Sequence, residues 1–358
     1  MFYIINLFIS VGLCLLSSNH RLNELSRVYA LFLFSLLWIL VVGGQYDVGA
    51  DYFSYLGIFT PDTKAIDFYS HTGEIGFYWF VKFLFYIGVE GQHIFFILAM
   101  LWVLLFLLII SKVTQFRQYA LFFFLIVCFN GVFHNQMNGL RQFTAMYILT
   151  YGVVLFVYKR AWLPFIICIL LAQSIHQYVF LAVIAILIVL FLRKVFDNSE
   201  RMLMILIFCF IVSFIDINQL ILDMVAYTTI GSAVYLNSGF GNFDIPITAK
   251  LVKYVLMFTY VYAIVNYRKI NLSENQKKLF ILGIVGEFLT ILSLNNFILQ
   301  RVNMYFNIIS LFPIFFLLTN MKNSNNRVII LLFLLIIYTV KVTIFADKEY
   351  VYESIFFN

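Results

Sequence analysis

Charge is scarce in this sequence. Of 358 residues only 11% are Asp, Glu, Lys or Arg, where a soluble domain carries about a quarter. A soluble fold of this size could not bury 63% hydrophobic residues at a mean hydropathy of +0.98, so the chain lives in a bilayer. That excludes a soluble enzyme, a secreted disulfide scaffold and a disordered chain. Proline is scarce too, at four residues, and the apolar runs are of helix length. Both argue against an outer-membrane barrel, whose strands would be short and alternating. The four cysteines, Cys14, Cys128, Cys168 and Cys209, sit inside apolar runs without CxxC spacing and read as small core residues. There is no DxD on an outer loop, no HExxH and no GxxxxGK[ST] glycine loop. No metal and no cofactor are therefore expected, and a sugar-nucleotide donor on the cytoplasmic face has no support. The N-terminal MFYIINLFISVGLCLLSS lacks a basic n-region and a small-residue cleavage site, so it reads as a first span rather than a signal peptide.

What is abundant is apolar sequence in spanning lengths. Runs fall at about 1–17, 28–44, 92–111, 118–134, 142–158, 161–175, 177–192, 203–217, 250–267, 279–296, 302–320 and 327–345. The expectation is an all-α polytopic membrane protein of about 12 transmembrane helices, forming one integral membrane domain over 1–358. One set of gaps holds 15 of the 23 basic residues, among them Arg21, Arg27, Lys112, Arg117, Arg193, Lys194, Arg268, Lys269, Lys277 and Lys278. By the positive-inside rule that set is cytoplasmic, which explains the net charge of +6 without nucleic acid. The opposite set is acidic, with Asp47, Asp51, Asp62, Asp67, Glu74, Asp216, Asp223, Asp244, Asp347, Glu349 and Glu353. Both termini then lie outside. Residues 75–91 are apolar but short and carry Lys82, so they read as an interfacial or re-entrant helix on the outer face. Two large outward loops remain, 45–91 and 218–249, and such loops are where binding and chemistry gather.

Ionisable groups at membrane depth are costly, and each raises a functional hypothesis. Asp47 and Asp51 are four apart and, if helical, share a face with Tyr55. Asp47 alone reads as a helix cap or solvated acid; Asp51, in an aromatic setting, reads as a site residue. Glu74 opens the interfacial helix, as a favourable N-terminal carboxylate or a catalytic one. Arg141 opens a span on the outer side, against the positive-inside rule. Its guanidinium fork suits phosphate oxygens; the alternatives are snorkelling or a pair with an acid of the first loop. His176 lies in a tight outer hairpin as a proton carrier or phosphate contact. Arg301 repeats the anomaly of Arg141, with Tyr305 one turn later, and two such arginines suit the two phosphates of a pyrophosphate. Glu287, mid-span, is left open between an ion pair and a structural role, and Lys250 and Lys253 read as interfacial anchors.

At these residues the chain resembles the EpsG/Wzy-type polysaccharide polymerases. The resemblance rests on Gly49-Ala50-Asp51-Tyr52 with Tyr55 and Phe59, Glu74-Ile75-Gly76-Phe77, Asn138-Gly139-Leu140-Arg141-Gln142 with Ala145, Ser174-Ile175-His176-Gln177, and Arg301 with Tyr305-Phe306 and Pro313. It runs from about 40 to 320. Gln45 and Tyr46 stand where the family often carries an arginine, and Ile75 where it often carries a proline.

The resemblance implies a membrane-embedded glycosyltransferase of the cytoplasmic (inner) membrane that polymerises O-antigen, capsular or exopolysaccharide repeat units at the outer face. Its substrate and partner would be an undecaprenyl-pyrophosphate-linked oligosaccharide within membrane lipid. A chain-length regulator and a flippase are further expected partners. In that reading Arg141 and Arg301 hold the leaving pyrophosphate, Asn138, Gln142 and Tyr305 join them in binding substrate, and Asp51, Glu74 or His176 takes the acceptor's proton. Tyr52, Tyr55, Phe77 and Trp79 form a platform for sugar or prenyl. A related glycan ligase and a lipid-linked glycan flippase are the rivals; the crowding of unusual charges at the outer span ends favours an enzyme.

Overall fold

The computed structural model describes residues 1–114, 118–215, 245–346 and 350–357. Arg117, Asp216, Asp223, Asp244, Asp347 and Glu349, with residues 218–244 of the second expected outer loop, lie outside the described residues. Among the described residues the regular structure is helical, with an isolated antiparallel bridge between Gln45 and Ser354. The chain divides into two compact units, Met1–Phe180 with Lys322–Asn358, and Leu181–Met321.

The first unit begins with α1 (Phe2–Ser17), α2 (Glu24–Gly43), α3 (Tyr52–Ile58), α4 (Ile75–Tyr86) and α5 (Gln92–Val113). It continues with α6 (Tyr119–Cys128), α7 (Val132–Asn138), α8 (Leu140–Lys159) and α9 (Trp162–Ile175). Next comes α10 (Val179–Phe191), at whose start the second unit begins. The second unit then holds α11 (Arg193–Phe196), α12 (Ser199–Val212), α13 (Ile247–Asn266), α14 (Glu274–Leu292), α15 (Phe297–Asn303) and α16 (Leu311–Asn320). The last helix, α17 (Ser324–Thr343), returns to the first unit.

Each of the twelve expected spans overlaps helix among the described residues. Among the described residues seven stretches are long and apolar enough to cross a membrane: α2, α5, α8, α17, Ile247–Lys269, Glu274–Asn295 and Leu299–Asn320. The run 118–134 is not one straight span. It breaks at Phe129–Gly131 into α6 and α7, bent by 59°, with Gly131 at φ +66°. An αL residue ends the helical path at that point. As one bent span this pair would be the eighth. The remaining four, α1, α9, α10 and α12, have 16, 14, 13 and 14 residues, or about 20–24 Å of helix against a hydrocarbon core of about 30 Å. Helix α4, with 12 residues, covers only about 18 Å. The chain is thus an all-α, multi-pass membrane protein.

In the first unit α2 packs against α1 and α5, and α8 against α5 and α9. Lipid tails are as apolar as leucine, so close packing and interhelical hydrogen bonds hold such helices together. Trp38 supplies the packing: its ring meets those of Phe34, Phe106, Phe123 and Phe133 at centroid distances of 5.0–5.7 Å. Trp102 supplies a bond, its indole N–H donating to Thr144 Oγ1 at 2.9 Å to tie α5 to α8.

The first loop is framed by Gln92, at the start of α5. Its amide donates to the carbonyls of Gly43 (2.6 Å) and Gln45 (3.0 Å) and accepts from the Tyr52 hydroxyl (2.8 Å). Burial, with smaller pushes from Tyr46 and Asp47, raises the Tyr52 hydroxyl to about 12, so it stays a donor at neutral pH. Residues 350–357 close the frame. Tyr46 N–H donates to Glu353 C=O at 3.0 Å. Ile355 N–H and Ser354 Oγ–H both donate to Gly44 C=O at 3.0 Å. The Tyr352 hydroxyl donates to Val41 C=O at 3.0 Å, and its ring stacks on Phe2 at 4.0 Å.

In the second unit α14 packs against α12, α13 and α16. A Cβ on Gly283 would lie 2.3 Å from Pro313 and 2.6 Å from the Ile309 carbonyl, so glycine there permits the approach of α14 to α16. The Tyr260 hydroxyl donates to the Ser310 carbonyl at 2.9 Å, linking α13 to the turn before α16.

Candidate functional site

Glu74, Arg141 and His176 are far apart in sequence and meet in the first unit. Glu74 is the residue before α4, Arg141 lies in the first turn of α8, and His176 follows the last residue of α9. Gly76 makes the meeting possible. A Cβ there would lie 2.2 Å from Ser174 Oγ and 2.7 Å from Ser174 Cβ. Without a side chain at 76, the start of α4 rests on the end of α9, and the Glu74 carboxylate reaches the hairpin that carries His176.

That carboxylate is buried, with 4% of its side chain exposed. Its Oε2 forms an ion pair with Arg141 Nη1. Its Oε1 accepts from the Gln177 N–H at 3.4 Å and lies 3.9 Å from His176 Nε2. The guanidinium is held on its other sides by aromatics. Its Cζ stands 4.4 Å from the centre of the Tyr69 ring and 5.6 Å from that of Phe77, and the Tyr55 side chain lies within electrostatic reach of it. Ring faces attract a cation without neutralising it. Arg141 is therefore paired with an acid of the first loop, one of the alternatives its position allowed, and the partner is Glu74. Arg141 Nε is buried and has no hydrogen-bond partner among the described residues; the same is true of Nε2 of the neighbouring Gln142. Two N–H donor groups on consecutive residues of α8 are thus uncommitted.

Asp47 and Asp51 do not share a helical face. Asp47 has φ +49° and Gly49 φ +77°, so the chain turns back on itself there and helix begins only after Asp51. Nor is Asp51 the deeper of the two: it is exposed while Asp47 is half-buried. The loop is fixed through its backbone instead. Asp51 N–H donates to Asn138 Oδ1 at 2.9 Å. A Cβ on Gly49 would stand 2.6 Å from that same oxygen, so Asn138 joins the first loop to the turn before Arg141.

Tyr52, Tyr55 and Phe77 are buried, whereas Trp79 is 62% exposed. Two residues along a helix is about 200° of rotation, and Trp79 accordingly points away from the Arg141 side of α4. The four aromatics do not form one continuous surface. In the second unit Arg301 lies half-buried in the last turn of α15 and Tyr305 is fully buried. Lys253 is half-buried and lies within electrostatic reach of the buried Glu287. Lys250 donates to Asn295 Oδ1.

Two participants, Tyr69 and Gln92, escaped sequence reading, and Gln177 was read only as part of its hairpin motif. Tyr69 stands in a polar loop rich in tyrosine and phenylalanine, with nothing to single it out. Gln177 acts through its backbone. Gln92 did carry a signal, as an amide opening an apolar run.

The geometry places a buried carboxylate, a guanidinium and an imidazole together at the start of α4, the start of α8 and the end of α9. Comparison with curated proteins and with solved structures gives no match. The model of the EpsG family matches residues 27–354. That match spans all three of these residues and Arg301 in the second unit, and the chain belongs to the EpsG family, a Wzy-type family of polysaccharide polymerases.

Proposed function

We propose that this protein joins oligosaccharide repeat units carried on undecaprenyl pyrophosphate into O-antigen, capsular or exopolysaccharide chains, at the outer face of the cytoplasmic membrane. Family membership supports the polymerase, and the buried Glu74–Arg141 pair beside His176 supports the place where it acts. The outward orientation and the twelve crossings rest on the distribution of basic residues between the spans.

In the reaction an acceptor hydroxyl attacks the anomeric carbon of the donor. The bond from that carbon to the pyrophosphate oxygen breaks, and the electron pair leaves with the pyrophosphate. Arg141 stabilises the charge that develops there, with Gln142 contributing its uncommitted amide. Pyrophosphate and Glu74 compete for the same guanidinium, so donor binding loosens the ion pair. The freed carboxylate, with His176 at 3.9 Å, takes the proton of the acceptor hydroxyl. Asp51, exposed at the start of α3, is the second candidate base. Arg301 and Tyr305 are proposed substrate contacts of the second unit.

The test is the surface glycan of a deletion strain. Loss of the gene is expected to collapse a long ladder to single attached repeats, restored by the wild-type chain and not by Arg141→Ala or Arg301→Ala. Complete loss of surface glycan would instead identify a flippase, and an unchanged ladder would end the polymerase reading.

Gly76 gives a sharper structural test. Gly76→Val is expected to push α4 off Ser174 and separate Glu74 from His176. A displacement of about 1 Å at a reacting group costs on the order of 10²-fold. Ladder length at matched membrane abundance should fall accordingly; a normal ladder would show that the approach of α4 to α9 does not matter to activity.

A further inference from the structure

The second unit carries a separate cavity of about 410 Å³ where α13 turns into α14, bordered also by the link between α11 and α12. Its lining includes Arg268, Lys269 and Lys277 against a single carboxylate, Asp197. That carboxylate is engaged, accepting from the Tyr267 hydroxyl at 2.6 Å. Glu274, just beyond the lining, is also committed, to Lys277 at 2.9 Å and Arg193 at 3.3 Å. Arg268 and Lys269 are exposed and form no ion pair among the described residues. The first turn of α14 is closed to a ligand, because Ser273 and Gln276 cap each other across it.

The cavity has an apolar side as well. Tyr267, Ile270 and Leu272 line it and are buried. A stretch of basic residues that served only topology would extend into solvent, with nothing concave beneath it. Here two uncommitted cations stand over an aromatic and aliphatic wall. The volume lies in the range of about 300–1,000 Å³ usual for small-molecule sites and leaves room for an organic body beside one phosphate group.

We propose that this cavity is a binding site for a phosphate ester anion, with Arg268 and Lys269 holding the phosphate and Tyr267, Ile270 and Leu272 facing the organic part. Two sources share that chemistry: the headgroup of an anionic phospholipid, and a soluble phosphate ester. The site is independent of the Glu74–Arg141 pair and involves none of its residues.

The experiment uses the full chain in nanodiscs. For the lipid source, the protein is placed in phosphatidylcholine discs containing a minority of phosphatidylglycerol, and the retained lipid is counted by native mass spectrometry. For the soluble source, glycerol 3-phosphate is titrated into phosphatidylcholine discs and the melting temperature followed. Each is repeated with Arg268→Gln/Lys269→Gln and with a control of equal charge, Lys194→Gln/Arg201→Gln, whose residues are exposed and do not line the cavity.

Retained phosphatidylglycerol is expected to fall by at least about fivefold in the first variant and to stay near wild type in the control, if the ligand is a lipid. If it is soluble, glycerol 3-phosphate should raise the melting temperature of wild type and control but not of the cavity variant. Equal loss in both variants would overturn the site, leaving only a generally basic face. So would the absence of both phosphatidylglycerol retention and a glycerol 3-phosphate shift in the wild type. Hydrogen exchange of residues 267–272 in the wild type, with each probe added, gives the same answer without any substitution: protection supports the site and its absence overturns it.

Discussion

Arg141→Ala is expected to reduce polymerisation by about 10²–10³-fold, the usual cost of removing one preorganised donor to a developing anion. Two effects of the substitution must be separated. The first is chemical: the leaving pyrophosphate loses its cation. The second is structural, because Glu74 is left buried without its partner. Breaking a buried ion pair by deleting one member costs about 3–5 kcal/mol, enough to lower the amount of folded protein. The double variant Arg141→Ala/Glu74→Gln removes both charges and relieves the second effect, while also taking away the carboxylate proposed to move the proton. Membrane abundance, read by immunoblot, should therefore recover in the double variant while the ladder stays collapsed. Recovery of the ladder along with abundance would mean that Arg141 serves folding alone. Arg141→Lys is expected to remain defective, since an ammonium cannot reproduce the fork that meets the carboxylate and the two flanking rings.

Glu74→Gln carries the second large effect, a fall in turnover of about 10²–10⁴-fold if the carboxylate moves the proton. Glutamine is the informative replacement. Its single carbonyl oxygen replaces only one of the two carboxylate oxygens that accept separately from Arg141 and from the Gln177 N–H, so turnover is read per folded protein, at matched membrane abundance. Turnover measured on purified protein with lipid-linked repeats, beside His176→Asn and Asp51→Asn, ranks the three candidate bases. Near-normal turnover for Glu74→Gln would remove Glu74 from the chemistry and shift the role to whichever of the other two fails.

The helices were legible because their signal is local and large. An apolar run of spanning length, ended by basic or acidic gaps, leaves the backbone few choices in lipid. The break at Phe129–Gly131 was less so, since one glycine and one asparagine scarcely alter the hydropathy of 118–134. At Asp47 and Asp51 the spacing misled: four residues is helical only if the backbone between them is helical, and Gly49 at φ +77° is not. Each of Glu74, Arg141 and His176 drew attention singly, as an ionisable group at a span end. A pair between Arg141 and an acid of the first loop was legible as one alternative; which acid it is, and that His176 joins it, was not, because 67 positions separate Glu74 from Arg141 and no local pattern encodes a contact across that distance. What brings α4 to α9 is the missing side chain of Gly76, and the effect of that absence depends on Ser174, which only the fold places beside it.

The strap formed by residues 350–357 has a consequence in time. Gly44 lies 310 positions before the Ser354 hydroxyl that caps its carbonyl. At about 5–20 residues per second, the ribosome reaches that serine roughly 15–60 s after it has passed Gly44. During that interval the start of the first loop lacks its bonds to Glu353, Ser354 and Ile355, while the helices on which it rests are already in the membrane. A nascent chain is thus held short of its finished loop geometry until residues 353–355 have been translated, long after the helices around that loop.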